Sequence, residues 1–266
     1  KYDVEIDEID VCPVQIQGPL SEDLMAKLAG EELREVPYYG ILETKVGGAD
    51  CVISQTGFTG EKGYEIYVRD AHENAEKMWN AVLEAGEEFG LMVIAPAHHR
   101  RIAAGILSWG QDLDHETSPF QVNLSYQVPR NKAADYIGKE ELEKQRAMMD
   151  EGKAPFKMKM VGLTLGGKEI TDYAPDFWIV TNTDEDEVGY VTSPWWSPEL
   201  ETNIALAWVP WEASEVGTKY MVKLPDEYAE SPGVAVNAEI VDVPFRESVN
   251  PNKREVQAAK GLDFAD

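Results

Sequence analysis

Glu65 stands in the segment Gly63-Tyr-Glu-Ile-Tyr-Val68, directly after the glycine-rich run Thr56-Gly-Phe-Thr-Gly-Glu-Lys-Gly63. In a strand, alternation with a period of two sends Tyr64, Ile66 and Val68 to one face and Glu65 and Tyr67 to the other. A carboxylate placed this way beside aromatics accepts two parallel hydrogen bonds from an amidine-like edge, such as the ring N–H and amino group of a pterin. The alternative on spacing alone is a solvated carboxylate on an exposed face. The glycine run matches neither the Walker pattern nor GxGxxG, and a strand rather than a helix follows it. It reads as a hairpin loop with special backbone angles, not as a phosphate cradle.

Other chemistries find less support. His98 and His99 are adjacent, so on a helix they point about 100° apart, with no Cys or carboxylate at i+4 to complete a ligand pair. No metal is expected there. Asp184-Glu-Asp-Glu187 lacks the glycine and the twelfth-position Glu of a calcium loop and reads as a solvated acidic loop. No nucleophile elbow or serine triad signature occurs. Cys12 and Cys51 lie in apolar strand-like settings, which fits buried thiols in a reducing, cytoplasmic compartment better than a disulfide framework.

The elements that must position these groups follow from periodicity. Val14 and Ile16 alternate with Gln15 and Gln17 in a strand that stops at Gly18-Pro19, and a short helix capped by Ser21 carries Leu24, Met25 and Leu28. Strands are expected over 41–46 and 50–55 with a turn at Gly47-Gly48. Ala75, Met78, Trp79, Val82 and Leu83 recur at helical spacing between Asp70 and Gly86. A further helix starts at Pro96 and runs through His98 to Ile106, and another spans Lys139 to Met149. After Lys153 the character changes to short β-like runs over 158–165, 177–181, 189–193, 203–209, 219–224 and 234–243, as in an antiparallel barrel or sandwich. The domains expected are residues 1–152, an α/β portion, and residues 153–266, a C-terminal β domain.

The charge narrows the partners. With 24 Lys plus Arg against 49 Asp plus Glu, the net charge is 24 − 49 = −25. Such a field repels phosphate backbones and anionic lipid headgroups, and no basic run opposes it, so neither nucleic acid nor a membrane surface is expected as a partner. No apolar stretch reaches the length that spans a bilayer.

Four blocks in order resemble the glycine-cleavage T-protein (aminomethyltransferase) superfamily, which includes tetrahydrofolate-dependent demethylases. They are Val14-Gln-Ile-Gln-Gly-Pro19, Thr56-Gly-Phe-Thr-Gly-Glu-Lys-Gly-Tyr-Glu-Ile66, Arg101-Ile-Ala-Ala-Gly-Ile-Leu-Ser-Trp-Gly-Gln-Asp112 with Thr117-Ser-Pro119, and Gly189-Tyr-Val-Thr-Ser193 with Ser197-Pro198 and Asn203-Ile-Ala-Leu-Ala207. Tyr136-Ile-Gly-Lys139 resembles a fifth. The resemblance implies a three-lobed α+β fold around a folate channel with a C-terminal antiparallel β-barrel or jelly-roll-like domain. It implies tetrahydrofolate as cofactor, with Glu65 holding the pterin ring and Tyr64, Phe58 and Trp109 lining the same pocket. Arg101 is either a ligand contact or a structural ion pair, and Trp196, with Trp195, closes the channel mouth or packs within the β domain.

The departures from the family pattern shape the expected reaction. Ala97 stands where T-proteins carry the arginine of an Arg-Asp pair, Pro96 matches the demethylase branch, and Ala103 stands where both branches carry Glu. These tilt the expectation toward methyl transfer from a small methylated, cationic donor to N5 of tetrahydrofolate. The alternatives are aminomethyl transfer from a lipoylated carrier protein, or a non-catalytic folate-binding member. Relatives carry a further segment before the Val14 block, with the acidic residue that orients the reacting amine, so the N-terminal part of the family fold is expected to be missing and no catalytic residue is assigned here.

Overall fold

The computed structural model describes residues 3–246, in two compact units that divide between Pro96 and Ala97. In the first unit, β1 (Val11–Gln17), β2 (Ile41–Val46), β3 (Ala49–Ser54) and β4 (Gly63–Arg69) form an antiparallel sheet in the order β1-β4-β3-β2. Helices α1 (Ser21–Ala29) and α2 (Ala71–Gly86) cover one face. The apolar positions expected from periodicity make the core: Ile16, Ile53, Tyr64, Ile66 and Val68 from the strands meet Leu24, Met25, Met78 and Val82 from the helices. The other sheet face carries Gln15, Ser54, Glu65 and Tyr67, since the pleat sends alternate side chains there.

Local details differ from the sequence reading for identifiable reasons. Ser21 is the first residue of α1 rather than its cap, because its hydroxyl donates to the Lys62 carbonyl at 3.0 Å and ties the helix to the glycine loop. Of Gly57, Gly60 and Gly63, only Gly60 has a positive φ, 75°. The other two are needed for space, because an added Cβ would lie 2.1 Å (Gly57) or 2.5 Å (Gly63) from the Gln17 side chain. Gly47 and Gly48, with φ of 58° and 80°, supply the left-handed pair that a tight two-residue hairpin demands. Cys12 and Cys51 both pair in register with Val68, on opposite sides of β4, so they are two strand spacings apart, about 10 Å, beyond disulfide reach.

In the second unit every β-like run after Lys153 becomes a strand. These are β5 (Met158–Leu165), β6 (Trp178–Thr181), β7 (Glu187–Ser197), β8 (Thr202–Pro210), β9 (Lys219–Val222) and β10 (Val236–Val241). They close an antiparallel barrel in the order β10-β5-β8-β7-β6-β9, filled by Leu163, Val180, Val191, Ala205, Val209 and Val222 among others. A second apolar cluster lies on the outside, where Ile102, Ala103 and Val122 pack against Met160, Ile204, Leu206 and Trp208. That packing explains why the compact division falls at Pro96/Ala97 and not at Lys153: residues 97–128 are bound to the barrel although their composition resembles the preceding segment.

Helix α3 (His98–Ala103) is shorter than the expected run to Ile106. Gly105, with φ of 66°, ends it in a Schellman turn, with Ile106 N–H donating to Arg101 O and Gly105 N–H to Ile102 O. Helix α4 (Lys139–Asp150) buries no residue. Among the described residues no helix is long and apolar enough to cross a membrane, and no group of three or more His, Cys, Asp or Glu could hold a metal ion.

The barrel core sets a first expectation. Leu163 is completely buried, so Leu163→Ala should lower unfolding free energy by about 2–5 kcal/mol, the usual cost of a buried leucine. Urea unfolding of the variant against the parent measures it.

Candidate functional site

Two carboxylates in different solvent environments dominate the molecule. Glu65 lies on the face of the first unit's sheet opposite α1 and α2, level with Gln15 on β1 and Ser54 on β3. Its Oε1 accepts from Gln15 Nε2 at 3.0 Å, and its Oε2 accepts from the Tyr67 hydroxyl at 3.1 Å and from the Thr56 hydroxyl. Thr56 has a second partner in Ser54 Oγ, 3.3 Å away. The carboxylate is thus oriented by donors from three segments while staying partly exposed. Burial first, and then the negative charge of Glu65, push the Tyr67 phenol up, so Tyr67 stays a donor through the neutral range.

The neighbours expected around Glu65 separate. Phe58 is half-exposed on the glycine loop. Tyr64 is fully buried in the sheet-helix core, where its hydroxyl accepts from Gln55 Nε2 at 3.4 Å. It therefore does not share a face with Glu65; the same alternation that exposes the carboxylate buries the ring beside it. Gln15 and Thr56 are the partners sequence reasoning missed, because cross-strand register is not visible in the linear chain.

The second carboxylate, Asp112, is fully buried, as is its partner Arg101 at 1% exposure. Arg101 Nη1 donates to Asp112 Oδ2 at 2.6 Å and to the Ile106 carbonyl at 3.2 Å, and Nη2 donates to Ser193 Oγ at 2.8 Å and Gln111 Oε1 at 3.2 Å. Of the two readings of Arg101, ligand contact or ion pair, the geometry selects the ion pair, since the guanidinium is enclosed by protein groups of its own unit.

Four aromatic side chains of the second unit, Trp109, Tyr173, Trp195 and Trp196, are exposed or half-buried. Trp109 is 61% exposed and meets His115 edge-on at 4.8 Å. Trp195 stacks on His98 at 5.4 Å, and Tyr173, 55% exposed, meets His98 edge-on at 4.9 Å. Trp196, next along β7, is half-buried and hydrogen-bonds through its main chain to Ile170. Tyr173 was missed: nothing in its surroundings in the sequence sets it apart. Burial, with the Arg101 charge as a lesser cause, lowers the His98 pKa, which keeps the imidazole neutral at physiological pH.

A helix-backed sheet bearing an oriented carboxylate on its other face, and a closed antiparallel barrel with an ion-paired loop on its outside, define an α+β protein of two compact units. The GCVT N-terminal domain model matches residues 1–132, and the glycine cleavage T-protein C-terminal barrel domain model matches residues 159–246. The chain belongs to the glycine-cleavage T-protein family. It is 32% identical to an aminomethyltransferase of Caldanaerobacter subterraneus subsp. tengcongensis over 83% of this chain and 57% of that protein. It is 34% identical to an aminomethyltransferase of Clostridium botulinum (strain Okra) over 84% of this chain and 58% of that protein. The crystal structure of glycine cleavage system aminomethyltransferase T from Bartonella henselae shares the fold, with a TM-score of 0.68 at 21% identity over 91% of this chain and 61% of that one. The chain thus spans somewhat more than half the length of these relatives.

Two measurements test the electrostatics. Arg101→Leu strands a buried carboxylate and should cost about 3–5 kcal/mol in denaturant unfolding. The His98 ring should titrate below its ordinary 6.5 by heteronuclear NMR. Because the unfolded chain then binds the proton first, the His98 contribution to stability is present above pH 6.5 and is lost as pH falls below it.

Proposed function

We propose that the protein is a tetrahydrofolate-dependent one-carbon transferase in which Glu65 receives the amidine edge of the pterin. The observation that carries this is the setting of Glu65, a part-exposed carboxylate in the Gly-Tyr-Glu-Ile block, held by Gln15, Thr56 and Tyr67. The donor set fits the group. A carboxylate offers about four acceptor directions, three are taken, and the Thr56 hydroxyl can turn to Ser54 to release another. Two parallel N–H donors then find two acceptors.

When bound, tetrahydrofolate supplies the nucleophilic nitrogen that takes up the one-carbon unit. The chain's part is orientation and exclusion of water. Glu65 fixes the ring's angle, and Phe58, half-exposed on the glycine loop of the same unit, offers apolar surface to a flat heterocycle. Orientation of this kind is worth up to about 7–11 kcal/mol in favourable intramolecular models.

For the one-carbon donor, the likeness to proteins named aminomethyltransferase supports an aminomethyl group on a lipoylated carrier protein as the substrate. This reading replaces the sequence-based preference for a small methylated donor as the leading one. The second reading stays in play through one observation: where T-proteins carry an Arg-Asp pair, this chain has Ala97 and a neutral His98 stacked on Trp195. An aromatic, uncharged surface suits a cationic methyl donor better than an ionic pair does. Two free thiols, too far apart to join, support a cytoplasmic setting.

Titration calorimetry with tetrahydrofolate is the test. Binding to the parent and at least a tenfold loss in Glu65→Ala are expected, and undiminished binding in that variant removes Glu65 from the reading. Mass spectrometry of the product separates the donors: 5,10-methylene product with an aminomethylated carrier supports aminomethyl transfer, and 5-methyl product with a sulfonium or methylamine supports the second reading.

A further inference from the structure

Thr192 and Ser193 are consecutive residues of β7, so a regular strand would point them to opposite faces. They do not diverge. The pairing of β7 with β8 shifts register between Val191 and Ser193, leaving Thr192 as the extra residue of a bulge. Both hydroxyls then reach the same atom, Asp112 Oδ1, at 2.6 Å from Thr192 Oγ1 and 2.5 Å from Ser193 Oγ.

The other carboxylate oxygen, Oδ2, accepts from Arg101 Nη1 at 2.6 Å and from the Ser108 N–H at 2.8 Å. All four acceptor directions of the carboxylate are therefore filled. Trp208 Nε1 on β8 donates to the Asp112 main-chain carbonyl at 3.0 Å, so backbone and side chain of one residue are both fastened to the barrel.

What the carboxylate holds is a turn. Asp112 N–H donates to Ser108 O at 2.8 Å and Gly110 N–H to Leu113 O at 2.9 Å, and Gly110 adopts a φ of 80°. Trp109 projects from this turn. Gln111 extends the network outward, its Nε2 donating to Thr192 O at 2.9 Å while its Oε1 accepts from the Tyr173 hydroxyl at 2.7 Å. One bulge, one carboxylate and one guanidinium thus fix Trp109 and Tyr173 relative to β7.

We propose that Asp112, with the paired hydroxyls of the β7 bulge, is a positioning device that sets the orientation of Trp109 and Tyr173 for a planar ligand. None of these buried groups touches the ligand itself. The inference rests on the folate reading only in the identity of that ligand; the device is defined by the orientation of Trp109.

The full chain, labelled with 5-fluorotryptophan and with Trp109 assigned through Trp109→Phe, provides the test. In Thr192→Val and Ser193→Ala, which leave Arg101 and Asp112 in place, the Trp109 fluorine resonance should shift or broaden and tetrahydrofolate affinity should fall about fivefold to tenfold. Thr192→Ser keeps the hydroxyl and should restore both. Asp112→Asn should give the larger effect where it folds. An unchanged Trp109 resonance in both hydroxyl variants overturns the proposal, as does an equal effect in Thr192→Ser. A shifted resonance with unchanged tetrahydrofolate affinity upholds the device and removes tetrahydrofolate as its ligand.

Discussion

The buried Asp112 carboxylate is the constraint on which the second unit depends. Transferring an ion out of water costs several kcal/mol even after relaxation, so a carboxylate with no exposure persists only where donors fill its acceptor directions. The donors come from three separate stretches: Arg101 on α3, Ser108 in the following turn, and Thr192 with Ser193 on β7. Satisfying the charge therefore requires the bulge, the short helix and the turn to form together. An apolar replacement could pack as tightly, but it would not specify which turn conformation sits on the barrel.

Glu65 solves the opposite problem with the same functional group. It sits on a sheet face where solvent reaches it, and its three donors orient it without exhausting it. A carboxylate with every direction filled by protein is structural, and one with a direction left is available for recognition. The difference comes from the count of donors and from burial, both set by neighbours far away in sequence. Gln15 is fifty residues from Glu65 and Ser193 is eighty-one from Asp112.

This distance decides how much could be read from the chain alone. The four strands and two helices of the first unit and all six barrel strands were legible because each depends on periodicity within a short window. The choice of Glu65 over its neighbours was legible for the same reason, through two-residue alternation. That rule also put Tyr64 on the other face, and the structure follows the alternation rather than the pocket implied by family likeness. The bulge at Thr192 was not legible, since nothing in Val191-Thr-Ser193 distinguishes an extra residue from a regular one; it exists because Asp112 is there to receive both hydroxyls. The end of α3 at Ala103 was half-legible, since Gly105 marks a stop only when its positive φ is known. The division at Pro96 was hidden because α3 resembles the preceding segment in composition but packs its Ile102 on the barrel.

The His98 position shows how a single residue sets the chemistry a surface offers. With alanine at 97 and histidine at 98, burial keeps the imidazole neutral, so the surface between Trp195 and Tyr173 is aromatic. Such a surface offers polarizable faces to flat rings and soft cations and no fixed charge to anions. The buried anchors of α3 are Arg101, Ile102 and Ala103, while His98 contributes ring contacts to Trp195 and Tyr173. Anchoring residues and ring-presenting residues are thus separated along six positions of one helix, and the helix stays where the Asp112 carboxylate requires it.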